Sequence, residues 1–528
     1  MKCIKIRFDS AGKAFNGDLS NHKRRLTMSK YSFYYDESEH SRKINHKTII
    51  AENYFDSFIA VVVGWLSNDQ TGLFERYEAF ESKYRHRQSN GELKSTTIKQ
   101  SQLISGFASL NADNISLLED FLMLFDEKVL VYYAVTSKIE YIILQLFEGY
   151  ENSLFVDMDA MKYSITKALV LYQPSVVLEG MYNNTGELIG LLKDFFTYQI
   201  EKDKANEPLK KNEIEQFGQI LLLLDDVSMI KTIEWNYDIA FVGFMKFLEE
   251  KEIHDYSITL DKEGENSNTV KSAERVGLCS VSEVDSVTSC GVRMADMLAG
   301  IISKLLKALH GAFEYASPEE STNKKILDKS WFVINERQLA LYKKLYQVAI
   351  ELNKAWYKAF SGPYSDDLIV FIALLGFMNH FDSVEEINED LNMLGEYFNT
   401  YCCEHLAEHF ERMRNSRQIP ALPIDTFTDN EFVINRRGAK VYLDIDRQPL
   451  LEIKNEHQTF EVLSVGLSNQ MIPIVTIVEK DEVKCYRIPR ELSEWAMKIV
   501  RLANIGVYML PSRVMFSKTK NGYFADIL

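Results

Sequence analysis

Residues 31–35 (YSFYY) alternate in the manner of a half-buried strand, and they run directly into Asp36, Glu37 and Ser38. Residues 55–65 (FDSFIAVVVGW) predict a second strand that ends at or soon after Gly64. Two adjacent strands predict an antiparallel hairpin with a long turn over 38–54. A third strand is predicted over 129–136 (VLVYYAVT), and a later one over 256–261 (YSITLD) that again ends on a carboxylate. The short apolar stretch 281–284 precedes Asp285-Ser286. Leu and Phe at i, i+3 and i+4 predict helices over 77–87, 98–110 and 115–125. A mostly helical insert covers about 140–250, with helices over 157–172, 174–200, 211–224 and 237–252 and a charged loop over 201–211. Residues 291–306 (GVRMADMLAGIISKLL) predict a helix whose apolar side carries Val292, Met294, Ala295, Leu298, Ala299 and Ile302. Ala299 and Gly300 would let it lie close on a sheet, and Asp296 borders that side.

Further along, EYASPEESTNKK within 308–335 reads as a boundary, 336–416 as helical, and Pro420 and Pro423 as a second boundary. Residues 431–488 alternate in strand fashion, with a hairpin turn at Arg436-Arg437-Gly438, before a helix over 491–502 and two short strands. At the other end, Ser10 to Lys30 is basic and lacks hydrophobic period. It reads as a weakly ordered lead-in, with translation starting at either Met1 or Met28. The expected organisation is thus a lead-in over 1–27, an α/β domain with a helical insertion over 28–310, a helical domain over 311–420 and a β-rich (α+β) module over 421–528.

Composition narrows the function classes. No apolar run approaches the ~20 residues that span a bilayer, and the N-terminus lacks the apolar stretch of a secretory signal. The six cysteines show no paired CxxC spacing, which argues against a zinc ribbon and a disulfide framework and fits a reducing cytoplasm. A formal net charge of −16 disfavours a protein that grips nucleic acid by a broad basic face. It leaves room for a nuclease whose acidic centre is neutralised by metal.

The acidic positions carry the chemistry. Asp36 ends the first strand, Glu92 lies on a loop or helix start, Asp261 ends a later strand, and Asp285 and Asp296 lie before and on the small-residue helix. A carboxylate fixed at the end of a central strand is costly unless a cation meets it. Carboxylates gathered from strand ends and one helix suit two Mg²⁺ or Mn²⁺ ions about 3.5–4 Å apart, which stabilise both oxygens of a phosphodiester displacement. Such ions take oxygen ligands and need neither His nor Cys. Lys94 is a candidate for holding a substrate phosphate, with a solvated lysine as the bland reading. Arg85, His86 and Arg87 beside Tyr84 read as a charged helix end rather than a phosphate track. His405 and His409 share helical spacing but lack the HExxH order and read as packing histidines. Cys402 and Cys403 read as one core thiol and one outward thiol. Leu443-Asp-Ile-Asp446 with Glu452-Ile-Lys454 faintly matches a D…ExK nuclease pattern, but a recognition or assembly module is favoured there.

Three motifs resemble one known family. Phe33-Tyr-Tyr-Asp-Glu-Ser38 is similar to the first-strand DES signature of the bacterial family called domain of unknown function 3800. Gly91-Glu-Leu-Lys94 resembles its E-[LI]-K motif. Asp285-Ser286 followed by Met294-Ala-Asp-Met-Leu-Ala-Gly300 resembles its closing DS…Q-x-AD-x-x-AG helix. The order matches over about 28–306, while the usual Gln near the start of the last helix is replaced in the neighbourhood of Arg293 and Met294. The resemblance implies an RNase H-like mixed-sheet core, whose nucleases use a strand-one Asp, a Glu, a further strand Asp and a helix Asp. Carried over, these are Asp36, Glu92 and Asp296, with the third position open between Asp261 and Asp285; Asp225 and Asp226 are further options. Glu37 is an auxiliary metal ligand in this reading. The family's genomic company implies a role in defence against phage or other mobile DNA.

The expectation is therefore a cytoplasmic, metal-dependent nuclease acting on DNA or RNA, with a protein partner engaged through the C-terminal regions and no membrane association. The alternative is a non-catalytic RNase H-like scaffold in a larger complex. A third reading, binding without cleavage, would need a basic groove visible only in fragments.

Overall fold

The alternation in β1 (Tyr31–Ser38) sets the layout of the first of two units. The computed structural model describes residues 31–39, 54–148, 158–183, 186–227, 238–262, 268–315, 324–416, 433–434, 440–441, 448–454, 457–467, 472–480, 482–504, 507–519 and 522–528, with a few isolated positions between them. One compact unit takes the chain up to Tyr141 together with Glu234–Glu411, and the other takes Ile142–Ile233 and Arg412–Leu528. The lead-in, Met28, Pro420, Pro423, Arg436-Arg437-Gly438 and Asp444 to Asp446 lie outside the described residues.

The first unit is built on a six-stranded mixed sheet. Its strands are β1, β2 (Ser57–Leu66), β3 (Leu130–Ser137), β4 (Tyr256–Asp261), β5 (Val281–Val284) and β6 (Ala359–Phe360), in the order β5-β4-β1-β2-β3-β6. β1 pairs antiparallel with β2, with Asp36 opposite Val61, and β2 pairs antiparallel with β3. On its other side β1 pairs parallel with β4, and β4 with β5, where Asp261 lies opposite Val284. The C-terminal ends of β1, β4 and β5 therefore share one edge of the sheet.

Period two assigns each β1 side chain a face. Phe33 meets Phe244 at 5.2 Å between ring centroids and Tyr35 meets Phe241 at 4.9 Å, both from the Ile239–Glu250 helix. Gly64 on β2 makes room for Phe33, since a Cβ there would lie 2.0 Å from that ring. Tyr34 points the other way. It stacks on Trp65 at 5.0 Å and covers Gly291 of the Cys290–Phe313 helix, which crosses β1 and β2. Each large apolar side chain buried in this way contributes roughly 1.5–3 kcal/mol. Asp36, two residues beyond Tyr34, falls on the face of that helix.

Several expectations change. Residues 98–110 are not a helix: two short 3-10 turns, Ser95–Thr97 and Gln100–Gln102, lead into the strand Ile104–Phe107. Gly106 has φ +59°, and a Cβ there would meet the Tyr342 hydroxyl at 2.2 Å. The residues expected as a separate helical domain share the first unit's core: Leu339 and Tyr342 of the Glu336–Tyr346 helix and Phe371 and Leu374 of the Asp366–Asn379 helix join Tyr34, Val61 and Leu298.

In the second unit the predicted loop over 201–211 is helical. Leu188–Asp203 passes through the 3-10 turn Lys204–Asn206 into Glu207–Asp226, and the Phe196 and Phe217 rings pack at 5.0 Å. Glu and Lys are good helix formers, and this charge is a solvated face. The single helix expected over 174–200 is two, Ser175–Asn183 and Leu188–Asp203. The C-terminal strands form a separate five-stranded antiparallel sheet, in the order Glu482–Arg487, Pro473–Glu479, Gln458–Leu467, Ser512–Thr519 and Gly522–Ile527. Ala496 and Val500 of the Ser493–Asn504 helix share its core with Val462, Val475 and Phe516. No helix among the described residues is long and apolar enough to cross a membrane.

Candidate functional site

The Cys290–Phe313 helix is buried along almost its whole first half. From Cys290 to Ser303 every residue is buried except Asp296. This half-buried carboxylate neighbours Asp36, which lies near the C-terminal end of β1. Burial pushes the Asp36 carboxyl well above the usual carboxylate range, and the neighbouring Asp296 pushes it further; the Glu37 amide, donating to Asp36 Oδ1 at 2.7 Å, pulls the other way. Asp296 is raised too, chiefly by burial, against the pull of Ser95, Lys304 and Lys94. Neighbouring buried carboxylates of this kind are relieved either by taking up a proton or by meeting a cation.

A tight turn delivers the next residues. Asn90 and Gly91 have φ of +54° and +87°, and Ser89 and Glu92 exchange backbone hydrogen bonds of 2.9 and 3.2 Å. An Asn-Gly pair takes this left-handed two-residue turn at little cost. Glu92 follows it, buried, and its Oε1 pairs with Lys94 Nζ at 2.7 Å. Ser95 then closes on the helix: its amide donates to Asp296 Oδ2 and its hydroxyl to Asp296 Oδ1, each at 3.0 Å. Gly300, one turn beyond Asp296, permits this approach, since a Cβ there would lie 2.1 Å from Ser95 Cβ. Arg87 fixes the base of the segment, with Nε donating to Thr97 Oγ1 at 3.1 Å and Nη2 to the Asn114 side chain. Its role there is structural.

Asp261 and Asp285 part company. Asp261 ends β4, accepts from the Lys262 amide at 2.9 Å and the Ser286 amide at 3.2 Å, and is raised by burial; Lys94 and Glu92 act on it in opposite senses. It also acts on Asp36. Asp285 lies one residue past the end of β5, exposed, and spends its Oδ1 capping the turn Ser286–Thr288 through the Val287 amide at 3.0 Å. Glu37 points to the opposite sheet face, where its Oε2 accepts from the Tyr35 hydroxyl at 2.6 Å. Asp225 pairs with Lys193 at 2.8 Å in the second unit, and nothing described concerns the Asp226 side chain. The structure therefore brings Asp36, Glu92, Asp261 and Asp296 into one electrostatic group around Lys94, whose own proton affinity Glu92 raises first, with Asp296 and Asp261 adding to it. Among the described residues no three His, Cys, Asp or Glu side chains stand close enough to hold one metal ion.

Arg293, in the neighbourhood where the family's Gln is expected, is an anchor. It makes a two-pronged bond to Glu81 of the Gln70–Lys83 helix at 2.8 and 2.7 Å and donates to the Ser286 and Val287 carbonyls, each at 2.8 Å. The histidines are bound separately: His405 Nδ1 to the Tyr401 carbonyl at 3.1 Å, and His409 Nε2 to Ser365 Oγ at 2.8 Å. Cys402 is buried and Cys403 exposed. Ser95 and Lys304 escaped notice in the sequence. Ser95 directly follows Gly91-Glu-Leu-Lys94 and Gly300 sits four residues after Asp296, but only the fold brings the two segments together.

No protein-family model, no curated protein and no solved structure matches the chain.

Proposed function

We propose that the first unit is a divalent-metal-dependent nuclease of the domain of unknown function 3800 type with an RNase H-like core. The observation that carries this reading is the apposition of Asp36 on the central strand and Asp296 on the crossing helix, both carboxyls raised by burial and Asp36 further by Asp296. A strand Asp, a Glu, a second strand Asp and a helix Asp are the acidic set that the resemblance calls for, and Asp261 fits the third place better than Asp285. The donors are all carboxylate oxygens, which suits Mg²⁺ or Mn²⁺. When bound, two such ions would supply an activated water and stabilise the leaving oxygen.

Asp36, Asp296, Asp261 and Glu92 are the residues that would hold the ions. Ser95 favours the ionised form of Asp296 against its burial and aims it. Lys94 occupies only Oε1 of Glu92; a cation on Glu92 would weaken that pair and leave the ammonium for a substrate phosphate. The alternative, a non-catalytic scaffold of the same fold, is favoured by the absence of a preformed three-ligand group among the described residues.

The deciding experiment is cleavage of labelled single- and double-stranded DNA and RNA with Mg²⁺ or Mn²⁺, comparing wild type with Asp36→Ala and Asp296→Ala, alongside thermal melts with each metal. Cutting and a metal-induced rise in Tm that both vanish in the variants support the nuclease. No cutting and no metal response in the wild type support the scaffold, since a protein without a site gains no stability from the ion.

A further inference from the structure

Lys304 lies two turns after Asp296 on the same helix, half-buried. Its ammonium makes one hydrogen bond, a 3.3 Å donation to the Gly300 carbonyl of its own helix. Among the described residues no carboxylate lies within ion-pairing distance of it. The neighbouring lysines differ: Lys94 is paired with Glu92 at 2.7 Å and Lys307 with Glu39 at 3.4 Å. Lys304 is also held close to the acidic group. Its Nζ and Ser95 Oγ stand 3.2 and 2.3 Å from one point, the position of a Cβ on Gly300, and Ser95 is the clamp on Asp296. The Gln100 side chain donates to the Lys304 carbonyl at 2.9 Å, tying the Ser95–Gln102 segment to this turn of the helix.

We propose that Lys304 is a substrate-binding residue that takes the non-bridging oxygens of a polynucleotide phosphate next to the carboxylate group. The inference rests on the nuclease reading and adds to it a second phosphate contact beside Lys94. A half-buried ammonium with no carboxylate in ion-pairing distance is under-compensated by the more distant Asp296 and Glu39, and an incoming anion relieves it. With the carboxylates neutralised by divalent ions, the pull of Asp296 on Lys304 would weaken and a phosphate would be its best partner. Lysine suits this task as a point charge that needs no planar, two-pronged partner. Such a contact reads backbone and not base sequence.

The test measures cleavage of fluorescein-labelled single- and double-stranded DNA and RNA oligonucleotides with Mg²⁺ by wild type, Lys304→Met and Lys304→Arg over a range of KCl, with Mg²⁺-dependent melts of each. Lys304→Met should raise KM about tenfold and make the dependence of log(kcat/KM) on log salt shallower by about one. Lys304→Arg should restore most of both, and the Mg²⁺-induced rise in Tm should stay at the wild-type value in each. An unchanged KM and salt slope in Lys304→Met overturn the proposal. Loss of the Mg²⁺ response in Lys304→Met and Lys304→Arg alike overturns it in favour of a role in holding the acidic site. A wild type that cuts none of the polymers overturns the nuclease reading itself, and the Lys304 proposal with it.

Discussion

Ser95 holds Asp296 by two hydrogen bonds, its amide and its hydroxyl each 3.0 Å from a different carboxylate oxygen. The bonds join a segment that begins at Glu92 to a helix that carries Asp296, so one serine sets the spacing of two carboxylates. Both bonds favour the ionised form of Asp296 against its burial. Ser95→Ala keeps the amide bond and loses the hydroxyl. We expect a loss of about 1 kcal/mol in stability and a tenfold to hundredfold weaker response to Mg²⁺, the usual cost of removing a partner that orients a ligand. Thermal melts titrated with Mg²⁺ measure both. An unchanged Mg²⁺ midpoint would mean that the hydroxyl does not orient Asp296.

Gly300 offers a prediction opposite in sign to helix propensity. In an exposed helix interior Gly→Ala stabilises by about 1 kcal/mol. Here the new methyl would lie 2.1 Å from Ser95 Cβ and 2.3 Å from its Oγ. The Lys304 ammonium can swing away, but the Ser95 segment can yield only by releasing Asp296. Gly300→Ala should therefore destabilise by about 1–3 kcal/mol and lower cleavage at least as much as Ser95→Ala. A variant more stable than wild type in denaturant titration would refute the close approach.

Arg293 and Glu81 join the Gln70–Lys83 helix to the site helix one turn before Asp296, with side chains 10% and 9% exposed. Removing one partner strands a buried charge, so Glu81→Ala should cost about 3–5 kcal/mol. Replacing both, as Glu81→Leu with Arg293→Met, should cost much less, because no charge is left unpaired. It would still release the Ser286 and Val287 carbonyls that Arg293 holds. Equilibrium unfolding of the singles and the double gives the coupling. Strict additivity would show that the two side chains do not act as a pair.

What the sequence made legible follows the strength of its periods. β1, β2, β3 and β4, and the helix carrying Asp296, are long, regular runs, and the alternation Tyr34, Asp36 already decides which face Asp36 takes. The choice of Asp261 over Asp285 was closed to that reasoning. It depends on the parallel register that sets Asp261 opposite Val284 and leaves Asp285 beyond the last pair. Residues 98–110 misled for a different reason: their Leu, Ile and Phe spacing imitates a helix, while Gly106 adopts a left-handed turn against Tyr342 and Trp331, residues over 200 positions away. The Asn90-Gly91 turn was readable and went unused. The Ser95 clamp was not readable, because it joins two segments whose meeting only the fold determines.

His310 and Asp367 make one pH-dependent contribution to the stability of the first unit, and buried Lys358, lowered to about 7, makes another of opposite sign. His310 Nδ1 lies 3.1 Å from Asp367 Oδ1, and Ser57 Oγ donates to the other oxygen at 2.6 Å. Burial alone would lower the His310 pKa, but the charge and hydrogen bond of Asp367 outweigh it and raise it to about 9. Burial acts on Asp367 in the opposite direction, and His310 with Ser57 holds that carboxyl below the usual range. A histidine raised in the folded state contributes stability that is complete below its unfolded pKa of about 6.5 and is lost as pH rises through about 9. The lowered carboxyl contributes above its unfolded value of about 3.9 and loses that contribution only as pH falls through its lower folded value. The pair thus acts fully between about pH 4 and 6.5. The pair's contribution should decline from pH 6.5 to 9 by about 3 kcal/mol at most, so His310→Gln should be less stable than wild type at pH 6 and the gap between the two should close toward pH 9. Urea unfolding at half-unit pH intervals for both proteins checks this. Parallel curves above pH 6.5 would show that His310 is not charged in the folded protein.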